Sequence, residues 1–513
     1  MNYTTFDQIQ ADLYAGSTTC RALVTYFLEK INTQNDTLNA FVAVYDQEAL
    51  AQADAVDAKI KAGTAGRLAG MVLGIKDVLC YQNHGLQAGS KILNGFESQF
   101  TATAVQRVLA EDAIIIGRQN CDEFAMGSSN ENSALGLVRN AADTSRVPGG
   151  SSGGSAVAVQ ADMCWASLGS DTGGSVRQPA AFCGLVGLKP TYGRVSRWGL
   201  IAYGSSFDCI GPITRNVEDA AMLLEIIAGP DDYDSTVSQR EVGKYAEGVW
   251  NTENGRGRPR GKENGERHTE KDASSVGTVH HAMANPHSPM PFAQSKIRIG
   301  YLREGLESEG VQPEIKAATR AKLDQLEAQG HVVEPIDFEL IPYFLPTYYI
   351  LTTAEASSNL SRYDGVRYGF RSKEKGDLEN LYKKTRSEGF GKEVKKRILL
   401  GTFVLSASYY DAYYTKAQKV RRLIKEQTDR LFERYDFLVM PTTPTTAFPI
   451  GDKTDDPLQM YLADIFTVQA NVIGNPAISV PNGHDANGLP IGFQIMAKPF
   501  DEAALLSFAK SII

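Results

Sequence analysis

RVPGGSSGGSAVAVQADMCWASLGSDTGGSVRQPAAFCGLVGLKPTYGR, residues 146–194, sets two Gly/Ser runs among apolar segments, the first from Pro148 to Ser155 and the second from Ser170 to Ser175. Glycine loses more backbone entropy on folding than any other residue and buries no side chain. Two clusters of it therefore predict backbone that approaches something closely or takes dihedrals other residues avoid. The serines are then presented, not buried. A flexible linker does not fit, because AVAVQADMCWASLG and AAFCGLVGLKP are too apolar to float. A phosphate-binding loop fits no better: neither run ends in Gly-Lys-Ser/Thr, and no GxGxxG follows a strand.

Gly149 to Gly153 spells G-x-S-x-G, an elbow that would make Ser151 a nucleophile with a histidine base. Of the seven histidines, His268, His280, His281 and His287 lie in a polar, low-complexity stretch, which leaves His84, His331 and His484, the last in a loop-like NGHDANG. A serine can instead be activated by a lysine made neutral by burial. Lys76 in MVLGIKDV is such a lysine, at the end of a short predicted strand; its ordinary alternative is to snorkel or to pair with Asp77.

Outward from this centre the periodicity alternates. Thr5 to Tyr14, Cys20 to Ile31 (capped by Ser17, Thr18 or Thr19) and Ala49 to Ala62 read as helices, with the sheet beginning at Met71. Thr103 to Glu111 reads as a helix, Ala113 to Gly117 as a strand, and Asn216 to Ile227 as a helix. Ile297 to Leu302 and His331 to Ile336 are strands about the helix Pro313 to Ala328. This predicts an α/β fold, a mixed sheet covered by helices on both faces. Its expected parts are an N-terminal helical segment (1–70), a core (71–247), an insertion (248–293) and the rest of the core (294–513). The insertion, containing GRGRPRGKENGERHTEK, has almost no periodic apolar positions and is expected to be disordered. Its histidines lack regular ligand spacing, so no metal is expected. The loop Met126 to Asn132 is too polar for core and is expected to line a pocket, with Ser128 and Ser129 as candidate substrate contacts; the alternative is an ordinary surface loop.

The 513 residues are 42% hydrophobic and 22% charged with net charge -8, which argues against a surface that coats nucleic acid in general. Lys383 to Arg397 is a locally positive strip, read as a solvated helix face or an RNA contact. The six cysteines show no C-x-x-C pair, and neither a signal peptide nor an 18-residue apolar span is present, so a soluble cytoplasmic protein with reduced thiols is expected.

GIKD around Lys76, PGGSSGGSAVAV from Pro148 and GSDTGGSVRQPAAFCGLVGLKPTYGRVS from Gly169 together resemble the amidase signature enzymes. The separations agree, with 99 residues from Lys76 to Ser175 and 24 from Ser151 to Ser175. The resemblance implies the amidase signature fold, with Ser175 as the acyl-forming nucleophile, Ser151 as a bridging serine on a cis peptide bond, and Lys76 as the terminal base. Backbone N–H groups of Thr172, Gly173 and Gly174 would cradle the oxyanion. Arg397, beside ILLGTFVLS, and Asp464, in MYLADIFTVQANVIG, are lone charges in apolar settings that need a partner or a ligand. They would suit the two charged ends of free glutamine, or pair with each other.

DEFAMGSSNENSA at Asp122, EASSNLSRYDGVRYG at Glu355, KRILLGTFVLSASYYDAYYTKAQKVRRLI at Lys396 and MPTTPTTAF at Met440 resemble one branch of that family, the glutaminase subunits of tRNA-dependent amidotransferases. That resemblance implies glutamine hydrolysis here, with Arg397 and Asp464 holding the glutamine. The ammonia would amidate Glu-tRNA(Gln) in a partner, the B subunit, which would hold the tRNA, ATP and Mg2+, while a small C subunit would make up a heterotrimer. No cofactor is implied in this chain. The alternative is a stand-alone amidase for a small carboxamide.

Overall fold

Short runs of β-branched and aliphatic residues, bounded by Gly, Pro and polar clusters, form the strands. In the computed structural model, which describes residues 3–250, 296–374, 376–453 and 457–513, these are β1 (Phe41–Val44), β2 (Val72–Lys76), β3 (Ile114–Gln119), β4 (Ala166–Asp171), β5 (Val186–Lys189), β6 (Cys209–Thr214), β7 (Arg298–Leu302), β8 (Val332–Ile336), β9 (Phe437–Pro441), β10 (Ala477–His484) and β11 (Pro490–Met496). Among the described residues they make one eleven-stranded sheet, ordered β1-β3-β2-β4-β6-β5-β10-β11-β9-β7-β8. The pairing is mixed: β3, β2 and β4 are parallel, as are β9, β7 and β8, and the middle from β4 to β9 is antiparallel. Every residue of β2, β3, β4, β6, β9 and β11 is buried, so the sheet is covered on both faces, as the α/β reading requires.

The predicted helices form with small shifts of boundary. Thr19 caps the second, its hydroxyl accepting from the Ala22 N–H, and that helix runs on to Leu38. Asn216 caps Val217–Ile227, whose first turn carries Glu218 and Asp219, where negative charge is favourable. One expectation fails. The sheet begins before Met71, because Phe41–Val44 is a strand antiparallel to β3, so residues 1–70 are not wholly helical. The expected insertion lies outside the described residues from 251 onward, and its first three positions close the helix Tyr245–Trp250. All six cysteines are buried and unpaired. No helix among the described residues is long and apolar enough to cross a membrane.

Candidate active site

Lys76 ends β2, and Ser170 and Asp171 end the adjacent parallel strand β4. The first Gly/Ser run comes to the same place as the turn leading into the helix Gly153–Gln160. Lys76 is completely buried, and its Nζ donates to Ser151 Oγ (2.7 Å), Ser152 Oγ (2.8 Å) and Ser170 Oγ (2.9 Å). Burial without a carboxylate in contact lowers its pKa to about 8, against the weaker pull of more distant acidic groups, so a neutral amine is accessible near neutral pH. Lys76 therefore neither snorkels nor pairs with Asp77. The Gly150-Ser151 bond is cis, as the resemblance implied.

Ser175 follows Gly174 in the second run and is 8% exposed. Its carbonyl accepts the Ser152 N–H (3.2 Å), which ties the two runs together, and its hydroxyl has no hydrogen-bond partner among the described residues. The link between Lys76 and Ser151 is formed, while the Ser151 and Ser175 hydroxyls share no hydrogen bond among the described residues. Gly174 has φ +127°, and a Cβ there would lie 2.2 Å from Thr467 Oγ1, so only glycine fits. The three expected cradle donors are not equivalent in the structure. Gly174 N–H already donates to Asp171 Oδ1 (2.9 Å), because the buried carboxylate takes the nearest donors, whereas the N–H groups of Thr172 and Gly173 have no partner among the described residues.

Beneath this loop lies a buried ion pair that sequence reasoning missed. Asp171 accepts from Arg177 Nε (3.0 Å) and Nη2 (3.0 Å), and Arg177 also donates to Gln494 Oε1, Asn471 Oδ1 and the Thr467 carbonyl. Burial works against the charge on Asp171, but Arg177 overrides it and holds the carboxyl well below its usual range. Gln178 adds a second brace: it accepts the Gly150 N–H and donates to the Ser128 carbonyl, both at 2.8 Å. The only sequence signal for these was two charges inside an otherwise small and apolar motif.

Arg397 and Asp464 border the same loop but are not paired with each other. Thr467, one turn beyond Asp464, donates to the Gly173 carbonyl (2.6 Å), and the Tyr348 phenol packs where a Gly173 side chain would be. Asp464 Oδ2 accepts from the Ser128 hydroxyl (2.6 Å), and its Oδ1 has no hydrogen bond among the described residues. Burial raises its carboxyl to about 7, opposed by Ser128 and by the positive charge of Arg397. Arg397 Nε donates to Glu393 (2.8 Å) and Nη1 to the Tyr203 phenol (2.6 Å), leaving Nη2 without a bond among the described residues. Tyr203, Tyr349 and Tyr461 lie within cation–π range. Burial opposes the guanidinium charge, yet Tyr203 and Glu393 hold its pKa well above the ordinary value. Glu393, four residues before Arg397, was readable as an i,i+4 partner; the tyrosines, distant in sequence, were not.

Ser129 is wholly buried and its hydroxyl has no hydrogen-bond partner among the described residues, so of the two candidate serines Ser128 is the one seen to reach this charge cluster. The loop around them is mostly buried, from Met126 to Asn130, and reaches the surface at Asn132. Among the described residues no histidine enters the site: His84 is stacked on Tyr81 and paired with Glu48. The basic strip is largely engaged, with Lys383 on Glu379, Lys384 on Glu374, and Arg386 on backbone carbonyls. Among the described residues no group of three His, Cys, Asp or Glu is placed to hold a metal ion.

The amidase family model matches residues 22–256 and 266–506. The chain is 48% identical over 514 residues to the A subunit of glutamyl-tRNA(Gln) amidotransferase from Koribacter versatilis, covering 100% of this chain and 98% of that one. It is 44% identical over 555 residues to the protein of the same name from Salinibacter ruber, covering all of both. Among solved structures, the A subunit of glutamyl-tRNA(Gln) amidotransferase from Thermotoga maritima superposes with TM-score 0.71 at 36% identity, over 96% of this chain and 91% of that one. The peptide amidase of Stenotrophomonas maltophilia superposes with TM-score 0.77 at 28% identity, over 98% and 95%.

Proposed function

The chain belongs to the amidase family, and from that membership and the site geometry we propose that it hydrolyses glutamine as the A subunit of a glutamyl-tRNA(Gln) amidotransferase. The observation that carries the choice of glutamine is the pair of buried, opposite and mutually unbonded charges, Arg397 and Asp464, beside the Ser175 loop. Arg397 Nη2 and Asp464 Oδ1, each without a hydrogen bond among the described residues, take the α-carboxylate and the α-ammonium respectively. With both ends held, two methylenes carry the carboxamide toward Ser175. Ser128 orients Asp464.

In the first step the Ser175 oxygen attacks the amide carbon while its proton passes to Ser151 and the Ser151 proton passes to neutral Lys76. With a pKa of about 8, about a tenth of Lys76 is neutral at pH 7. The oxyanion is taken by the N–H groups of Thr172 and Gly173, each worth about 3 kcal/mol in such a site. Collapse breaks the C–N bond, and the proton returns through Ser151 to the departing nitrogen, giving ammonia and a γ-glutamyl ester on Ser175. Water then attacks the ester by the same relay, releasing glutamate.

The ammonia is used in the partner B subunit, which carries the charged tRNA with ATP and Mg2+, and a small C subunit makes the complex a heterotrimer. These partners rest on the names of the relatives and on the resemblance. The test is kcat/KM for glutamine and for butyramide, alone and with purified partner subunits, together with mass spectrometry of an adduct with a glutamine analogue. Preference for glutamine and a label on Ser175 are expected. Butyramide rivalling glutamine would favour a stand-alone amidase, and a label on Ser151 or Cys183 would overturn the assignment of the nucleophile.

A further inference from the structure

Glu123 has no part in the steps above, yet it is buried between the two arms of the site. It sits in a tight turn, followed by Phe124 and Ala125 at φ +51° and +59°, at the foot of the loop that carries Ser128. Its neighbour Asp122 shapes the same loop, accepting the N–H groups of Asn130 (2.9 Å) and Asn132 (3.1 Å). On the far side both Glu123 oxygens accept the N–H of Gly391, at 3.1 and 2.8 Å, and Ser90 donates its hydroxyl to the same carboxylate. Gly391 directly precedes the helix Lys392–Val404, whose second residue is Glu393 and whose sixth is Arg397. A Cβ on Gly391 would lie 2.3 Å from Glu123 Oε2, so the approach is as close as backbone allows. Phe124 against Phe390, with ring centroids 5.7 Å apart, closes the junction.

We propose that Glu123 is a positioning residue for glutamine: its carboxylate pins the first turn of the Arg397 helix to the Ser128 loop, and so sets the span between Arg397 and Asp464. The chain of contact is continuous. Glu123 holds Gly391, the first turn places Glu393, Glu393 holds Arg397 Nε, and on the loop side Ser128 holds Asp464. Burial raises the Glu123 carboxyl to about 7, while the Ser90 hydroxyl, the Gly391 N–H and Lys395 favour its charged form, as does its place at the start of a helix. The proposal rests on the glutamine-clamp reading above and adds to it the element that fixes the clamp's width.

The experiment measures kcat and KM for glutamine, with butyramide as the substrate that has no charged ends, in wild type, Glu123→Gln, Glu123→Asp, Arg397→Ala and the Glu123→Gln/Arg397→Ala double variant. Slackening the junction should raise the glutamine KM about tenfold while kcat falls much less, because a small misplacement of the clamp is costly. The ratio of kcat/KM for glutamine to that for butyramide should fall accordingly. In the Arg397→Ala background Glu123→Gln should add no further loss, since the two act through one contact. Glu123→Asp keeps the charge but draws it back from Gly391, and it should show the same KM effect, which covers the case in which Glu123→Gln does not fold. A glutamine KM within about twofold of wild type in the folded variants, or an equal further loss in the Arg397→Ala background, overturns the proposal. If Arg397→Ala itself leaves KM unchanged, the clamp reading falls and this proposal with it; if Arg397→Ala raises KM and neither Glu123 variant does, only the role of Glu123 falls.

Discussion

Replacing Asp464 with Asn should make the protein more stable and a worse glutaminase, with the stability gain depending on pH. Asparagine keeps the shape, and its oxygen can still accept the Ser128 hydroxyl that now bonds Asp464 at 2.6 Å. What it removes is the buried charge. A carboxyl whose pKa is higher folded than unfolded binds its proton more tightly in the fold, so ionisation weakens the fold. For Asp464, raised by burial from 3.8 to about 7, that cost is absent below the lower value, grows between the two and is complete above the upper. At about 1.4 kcal/mol per pKa unit this is on the order of 4 kcal/mol at pH 8 and about 2 kcal/mol at pH 5. The thermal midpoint of Asp464→Asn should therefore exceed that of wild type at pH 8, and by less at pH 5. The variant also loses the charge proposed to meet the α-ammonium, a charge-assisted bond worth about 1.5–3 kcal/mol, so the glutamine KM should rise roughly 10- to 150-fold. In wild type the same KM should fall as pH climbs through 7. A midpoint below wild type at pH 8, or a gain equal at both pH values, would refute the burial argument; an unchanged KM would refute the role in binding.

Glutamine hydrolysis should rise with pH and level off above about 8, where Lys76 is neutral, and Lys76→Ala should abolish turnover while equilibrium dialysis still detects bound glutamine. Gly174→Ala forces a side chain onto φ +127° against Thr467, so it should cost about 1–3 kcal/mol by denaturant titration and a larger share of kcat, since the loop that bears Ser175 must move. Replacing residues 251–293 with a short Gly/Ser linker should leave glutamine hydrolysis intact, because that composition builds no catalytic group; loss of hydrolysis in a folded protein would contradict this, and loss of transamidation alone would point to contact with a partner.

The chemistry was legible where it is local. The Gly/Ser runs and GIKD are contiguous, and the dihedrals and close approaches they demand, as at Gly174, leave a mark in composition. Strand β1 was not legible: four residues between two helices carry too little period to stand out, and what makes Phe41–Val44 a strand is its pairing with β3. The aromatic surroundings of Arg397 were hidden for a related reason, since Tyr203 and Tyr349 arrive from elements far away in the chain. The proposed oxyanion donors show a third kind of limit. The three residues after Asp171 look equivalent in sequence, but the carboxylate claims the N–H of Gly174, and only coordinates distinguish it from Thr172 and Gly173.

The acceptor that Arg177 finds on Gln494 lies 317 residues further along the chain. A ribosome adding roughly 5 to 20 residues per second reaches that position roughly 15 to 60 s after Arg177 leaves it. For most of that interval the nascent chain holds Lys76 and all of its serine partners, yet the guanidinium beneath the Ser175 loop lacks Thr467, Asn471 and Gln494. The half-made sheet also ends at β5, an open edge awaiting β10, and open edges recruit other strands. Catalytic competence in this protein is thus an event of late synthesis: a chain stopped before β10 carries the motifs but not the support that gives them their shape.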